Sequence, residues 1–204
     1  MITEKKKIIR DKIETLFNED NPVFQQEEIK SIVSSYLNKR DYYLEKLKQN
    51  FPPCYLLETS ILKKKADDFR HAFENLLPET AFYFAMKCNN HPEISSEMTK
   101  NGYGLDVSSG LELDQALALG CEDIVFSGPG KTKGEHYIAL QNAGRVKILV
   151  DSFGELERLS NLANFMMVHV RIGVRLTTNP KMLWRKFGIL PERLEEFYQK
   201  SRKS

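Results

Sequence analysis

Ala81-Phe82-Tyr83-Phe84-Ala85-Met86-Lys87 sets the pattern on which the fold turns: an apolar run of strand length that stops at a chemically useful side chain. Four more apolar runs follow, at Tyr103–Val107, Ile124–Phe126, Val146–Val150 and Phe165–Ile172. Each of the first four runs in this series is followed by a helix-like segment of ten or more residues, so the chain repeats a βα unit. Strands that are apolar on both faces and separated by helices pair in parallel and are covered by those helices. This predicts an α/β fold, either a doubly wound sheet or a (β/α)₈ barrel. The runs stop at Lys87, at Asp106 followed by Ser108, at Ser127, at Asp151 and at Arg171. The pattern puts all of them at strand carboxyl ends, and in a barrel that is the face on which active sites are built.

Upstream, Cys54–Leu57 reads as a short strand and Thr59–Leu77 as a helix with Leu62, Ala66, Phe69, Phe73 and Leu76 on one face. The prolines of Phe51-Pro52-Pro53 exclude continued helix and mark a boundary between a helical extension, 1–51, and the α/β region, 52–204. Within the extension, Ile9, Ile13, Leu16 and Phe17 recur at helical spacing, as do Ile29, Ile32, Val33, Tyr36 and Leu37; Asn21-Pro22 separates the two, and a third segment lies around Tyr43 to Leu47. Its basic clusters, Lys5-Lys6-Lys7 and Lys39-Arg40, are interleaved with acids and read as a solvated helix face rather than a site for an acidic partner.

Composition removes several functional classes. Thirty basic against twenty-eight acidic residues in a chain of 204 leave a formal charge of +2, too little to make nucleic acid an expected partner. No apolar run approaches the roughly 18 residues that span a bilayer, and the amino end shows no signal-peptide core, so a cytoplasmic protein is expected. Cys54, Cys88 and Cys121 are too far apart for a CxxC pair or a disulfide framework. His71, His91, His136 and His169 show no metal-binding spacing, and no metal is assigned.

Gly128-Pro129-Gly130-Lys131-Thr132 fails as a nucleotide phosphate loop because Val125 stands where that pattern needs glycine, and Gly102-x-Gly104 precedes a strand where a dinucleotide fingerprint must follow one. Ser109-x-x-Glu112 and Ser152-x-x-Glu155 both fit the capping box that starts a helix. Glu155 is assigned to capping, whereas Glu112 stays open between a cap and a site role. Lys87 ends one of the most apolar runs in the chain. An amine in such a dry neighbourhood loses part of its preference for the charged form, the condition for a lysine to attack an aldehyde. The alternative is a lysine snorkelling from a strand end.

Phe84-Ala85-Met86-Lys87-Cys88-Asn89 resembles the lysine motif, commonly Y-A-V-K-A/C-N, of the pyridoxal-phosphate-dependent decarboxylases that include the ornithine and diaminopimelate decarboxylases. Further similar segments follow in order: Gly104 through Leu113, Phe126 through Thr132, Val150-Asp151-Ser152 with Glu155-Leu156, Val170-Arg171-Ile172, and Lys186-Phe187-Gly188. The likeness runs from about Pro53 to Leu190, and the helical extension has no counterpart in it.

The resemblance implies a fold-type III enzyme, with a (β/α)₈ barrel that holds pyridoxal 5′-phosphate and a β-domain built mostly from later chain. On that basis the 204 residues supply about five of the eight βα units, a partial barrel without the β-domain. Lys87 would carry the internal aldimine, Asp106 and Glu112 would lie near that lysine, and Arg171 near the cofactor. The implied reaction is decarboxylation of an ornithine-, lysine- or diaminopimelate-like amino acid by a protein that is homodimeric when full length, with the fragment inactive alone. Two alternatives stand beside it: a non-catalytic homologue that binds a protein partner, and a pyridoxal-phosphate-dependent racemase. Retention of Lys87, Asp106, Glu112 and Arg171 together favours the enzyme.

Overall fold

The computed structural model describes residues 4, 7, 8, 11, 15, 26–50, 53–74, 76, 77, 79–177 and 187–203. They fall into two units, Met1–Leu56 and Leu57–Ser204. In the first, helix α1 spans Gln26–Asn38 and α2 spans Arg40–Gln49. The Ile29-to-Leu37 periodicity lies on α1, and its Tyr36 ring packs against Tyr43 of α2 at 5.7 Å between centroids. The Ile9-to-Phe17 periodicity, Asn21-Pro22 and Phe51-Pro52 lie outside the described residues.

The second unit opens with α3, Thr59–Glu74, and then alternates strand and helix. Its strands are β1 Tyr83–Ala85, β2 Gly104–Val107, β3 Ile124–Phe126, β4 Val146–Val150 and β5 Arg171–Val174. Its further helices are α4 Pro92–Lys100, α5 Gly110–Ala118, α6 Lys133–Gln141, α7 Phe153–Met166 and α8 Leu194–Lys203. All four strand pairings are parallel, and the sheet order is β1-β2-β3-β4-β5. A doubly wound sheet reverses its strand order at a switch point. Here each strand pairs with its successor, the order of strands along an arc of a (β/α)₈ barrel, so the barrel alternative holds.

Strand alternation divides the side chains. Leu105 and Val107 of β2, Ile124 and Phe126 of β3, and Val146, Ile148 and Val150 of β4 are buried beneath Leu113, Ala116, Ala139, Leu140, Leu156 and Leu159 of the covering helices. The intervening residues, among them Asp106, Val125, Lys147 and Leu149, are half-buried and share the opposite, open face. A second cluster joins Ala66 of α3 to Met98 and Tyr103, with Phe82 and Phe84 packed against it. Helix α8, for which the sequence reading made no provision, adds Phe197 to the main core, its ring 5.8 Å from that of Phe153.

Three element boundaries differ from the sequence expectation. Cys54–Leu57 is not a strand: these residues have no ladder partner among the described residues, and their side chains are exposed. An apolar tetrapeptide without a sheet neighbour gains neither hydrogen bonds nor burial. Helix α3 stops at Glu74 rather than Leu77: the Leu76 amide tightens onto the Phe73 carbonyl three residues back, out of the α-helical pattern, and Pro78 follows in the sequence. The last apolar run also divides. Phe165 and Met166 complete α7, Met167 ends it in the left-handed conformation at φ 55°, and β5 begins at Arg171. Leu159, Leu162 and Met166 keep helical spacing into that run, so its first half belongs to the helix period. Arg171 therefore opens β5 instead of ending it.

Candidate active site

The register aligns a row of residues across the open face. Ala85 pairs with Asp106, Asp106 with Val125, Val125 with Lys147, and Lys147 with Arg171. Two residues beyond Ala85 stands Lys87, in a single 3₁₀ turn, Met86–Cys88, at the carboxyl end of β1. Met86 is fully buried in the core, whereas Lys87 is exposed. The dry surroundings expected for Lys87 are thus a property of the other face: Phe82, Phe84 and Met86 take the apolar side of the alternation and leave the amine on the open side. Among the described residues its ammonium has no hydrogen-bond or ion-pair partner.

Asp106 lies within β2, one residue before its end, and its Oδ1 is buried with no hydrogen-bond partner among the described residues. A carboxylate oxygen in that state is costly unless a donor reaches it. Glu112 is 9% exposed, and its Oε2 accepts from the Ser108 amide at 2.7 Å while Ser109 Oγ accepts from the Glu112 amide at 3.3 Å. Glu112 therefore closes the start of α5 and fixes the turn just after Asp106. Glu155 does the same for α7, accepting from the Asp151 amide at 2.7 Å. On α6, Thr132 and Glu135, written in the sequence as Thr132-x-x-Glu135, close the reciprocal capping box. Glu135 accepts from the N-cap amide itself, where Glu112 and Glu155 accept from the residue before the cap, and it also accepts from the Gly110 amide at 2.6 Å.

Arg171 is exposed and donates to the Gly144 carbonyl, 2.8 Å away, in the turn that precedes β4. As the first residue of β5 it belongs to the amino end of the sheet, opposite the end at which Lys87 stands. The basic residue at the carboxyl end of β5 is Arg175, whose amide donates to Val150 and whose Nη1 lies 3.5 Å from Asp151 Oδ1.

A second lysine on the open face, Lys147, is fully engaged. Its Nζ lies 2.7 Å from Tyr83 Oη and 2.7 Å from Asp123 Oδ1, and Tyr83 donates to Asp123 Oδ2 at 2.7 Å. The hydrogen bonds to Asp123 and Tyr83 raise the Lys147 amine above its ordinary value. Burial pushes up the Tyr83 hydroxyl and works against ionisation of Asp123, where bonds from Lys147 and Tyr83 prevail and lower the carboxyl. Lys147 is thereby held as a cation, and Lys87 is the lysine of this face with an uncommitted amine.

Behind the sheet, Lys131 Nζ donates to the Leu149 carbonyl at 2.7 Å and to Glu155 Oε1 at 2.9 Å, and His136 Nε2 lies 3.3 Å from the same oxygen. All three side chains are at most 2% exposed. Burial alone would raise the Glu155 carboxyl, but the bonds from His136, Lys131 and the Asp151 amide outweigh it and hold the group at about 2. Among the described residues no group of three or more His, Cys, Asp and Glu side chains is placed to hold a metal, and no helix is long and apolar enough to cross a membrane.

Residues 60–204 match the family described as pyridoxal-dependent decarboxylase, pyridoxal binding domain. The chain belongs to this family. The chain is 31% identical over 161 residues to the diaminopimelate decarboxylase of Zymomonas mobilis subsp. mobilis, covering 72% of this chain and 38% of the relative. It is 27% identical over 154 residues to the chloroplastic ornithine decarboxylase of Nicotiana glauca, covering 74% and 34%. Among solved structures, the diaminopimelate decarboxylase from Helicobacter pylori complexed with L-lysine superposes with a TM-score of 0.66 at 27% identity, over 79% of this chain and 43% of that one. The chain thus spans well under half the length of the curated relatives it matches.

Two features of this α/β unit do not follow from the sequence pattern. Lys131 belongs both to the failed phosphate loop and to the family-like segment Phe126 through Thr132, and nothing in Gly130-Lys131-Thr132 signals a buried ion pair 24 residues distant. Arg175 lay beyond the assumed strand end, and moving β5 two residues onward would have found it.

Proposed function

We propose that residues 52–204 form the pyridoxal 5′-phosphate-binding part of an amino-acid decarboxylase, with Lys87 as the residue that holds the cofactor. The uncommitted Lys87 amine at the carboxyl end of β1 carries this reading, because an amine already engaged as Lys147 is could not serve. The residues present fit the group: a free amine for its aldehyde, and, on the same face, the buried Oδ1 of Asp106 lacking a partner. When bound, pyridoxal phosphate supplies an electron-accepting ring that stabilises the charge left as a carboxylate departs.

This chain's own groups prepare the site. Asp106 Oδ1 is an acceptor available for a proton, and Glu112 keeps the adjoining turn in place by binding the Ser108 amide. The Glu155 knot fixes the carboxyl end of β4 through the Asp151 amide. Arg171 remains part of the proposal only as a remote contributor of charge, given its place at the amino end of β5. The substrate class proposed is an amino acid with a second amino group, in line with the diaminopimelate and ornithine decarboxylases among the relatives and with the L-lysine complex of the Helicobacter pylori protein.

The test is chemical trapping. The chain is incubated with pyridoxal 5′-phosphate, reduced with borohydride and mapped by mass spectrometry. The adduct is expected on the peptide carrying Lys87. Lys87→Arg should abolish it while circular dichroism stays unchanged, since a guanidinium keeps the charge but cannot act as the amine nucleophile. An adduct on Lys147 or Lys131 with Lys87 unmodified would overturn the assignment.

A further inference from the structure

We infer that Arg175 is an oxyanion-binding side chain at the carboxyl end of β5, placed to take a carboxylate or phosphate group of the molecules that Lys87 engages; in that respect it rests on the reading of Lys87 given above.

Ladder geometry sets its direction. Ile172 and Val174 pack against the helix-side core, so Arg171, Gly173 and Arg175 share the open face. The ladder continues past Val174 through the Arg175 amide, which donates to the Val150 carbonyl at 2.9 Å. At Gly173 an added Cβ would lie 2.5 Å from Leu149 Cδ2, so the leucine covers the glycine and makes an apolar floor between the two arginines. Arg175 thus stands at the end of the sheet where barrels bind their ligands, whereas Arg171 stands at the other.

The backbone around it is pinned on both sides. Ile189 donates to the Arg175 carbonyl at 2.8 Å, Thr177 donates to the Ile189 carbonyl at 3.0 Å, and the Phe187 ring lies 5.0 Å from the guanidinium carbon. Asp151, the acceptor facing Nη1, is itself fixed by the hydrogen bond that its backbone N–H donates to Glu155 Oε2. Yet the guanidinium spends little of its capacity on these supports. Of its five donors, a single one reaches Asp151, at 3.5 Å, and among the described residues no other side chain or carbonyl accepts from it. Its side chain is 39% exposed. A fork that is oriented, weakly paired and open to solvent suits bidentate capture of an oxyanion; an arginine serving only as a surface ion pair would contribute under about 1 kcal/mol and would bind nothing.

The experiment uses ligand pairs that differ by one anionic group, pyridoxal 5′-phosphate against pyridoxal and L-lysine against cadaverine, with the chain and its Arg175→Gln and Arg175→Lys variants. Dissociation constants are read from absorbance and calorimetry, with circular dichroism as the check on folding. Arg175→Gln should weaken the anion-bearing member of one pair at least about tenfold, roughly 1.4 kcal/mol, and leave its uncharged counterpart unchanged. Loss on the first pair assigns the phosphate as the ligand, and loss on the second the carboxylate. Arg175→Lys should recover part of the loss, because it keeps the charge without the fork. If Arg175→Gln fails to fold, Arg175→Lys carries the same comparison, with a partial loss confined to the anion-bearing member. Should borohydride trap no cofactor on Lys87, that failure belongs to the Lys87 reading; inorganic phosphate, followed through the Arg175 Nε–H resonance, then decides the present one. Affinities for both members of both pairs left unchanged by Arg175→Gln, or an Arg175 resonance unmoved by phosphate, would refute it.

Discussion

At Glu155 one buried carboxylate meets three donors, and its ionisation links the β3–α6 loop to the end of β4. The folded carboxyl is held at about 2 against an ordinary 4.5. A group depressed in this way stabilises the fold fully above its unfolded value, and that contribution is lost as pH falls through the folded one, so the window lies between about 4.5 and about 2. The displacement corresponds to about 3 kcal/mol. Urea unfolding followed across this window should show the midpoint falling. Glu155→Gln should cost about 3 kcal/mol at neutral pH, because Lys131 is left buried without its counterion, and should flatten the acid limb. A variant that keeps the wild-type acid slope would show that other carboxylates carry it. Lys131 and Glu155 are also where sequence reading reached its limit: capping by Glu155 follows from Ser152-x-x-Glu155, but its second oxygen's partnership with Lys131 depends on tertiary packing that no local pattern encodes.

Strand–turn–helix junctions repeat one device at Glu112, Glu135 and Glu155, each accepting backbone amides at a helix start. The junction after β3 adds a steric requirement. Gly128 passes so close to the Ser108 carbonyl that an added Cβ would fall within van der Waals contact of its oxygen and carbon, both rigid backbone atoms. Gly128→Ala should therefore cost about 1–3 kcal/mol, the usual range for overpacking, and should displace the turn beside Asp106. Chemical denaturation gives the first quantity, and the yield of the Lys87 adduct reports the second; unchanged values for both would mean that the two loops can separate without penalty. Much of this level was legible beforehand. Runs of buried strand length separated by helical periods gave the βα repeat, and the two Ser-x-x-Glu boxes fell where helices begin. The misplaced elements share a cause. Cys54–Leu57 has strand-like residues but no neighbour to pair with, and Phe165–Ile172 joins the end of one helix to the start of one strand without a Gly or Pro between them. Apolar content marks burial; it does not mark the change of period. That single error carried Arg171 to the wrong end of the sheet and hid Arg175.

Over the whole α/β unit, sequential order leaves β1 and β5 each with one unpaired side among the described residues. Backbone donors and acceptors on such edges are templates for another strand, and a closed barrel is the architecture that removes them. Residues of both edges are in part exposed: Tyr83, Phe84 and Ala85 on β1, and Ile172, Gly173 and Val174 on β5 are half-buried. Association of this chain through its edges is thus expected, and its physical origin can be separated from attraction between charged open faces. Ladder hydrogen bonds and apolar contacts are little affected by salt, whereas attraction between Lys87, Asp106 or Arg175 and their counterparts on another copy is screened beyond about 8 Å at physiological ionic strength and about 3 Å at 1 M. Light scattering coupled to size exclusion, run over a dilution series at low and high salt, should show a mass that rises with concentration and persists in high salt. Dissociation by salt would place the contact on the open face instead. A monomer at every concentration, with cooperative unfolding, would mean that the edges of this sheet are covered and that the unit is self-sufficient.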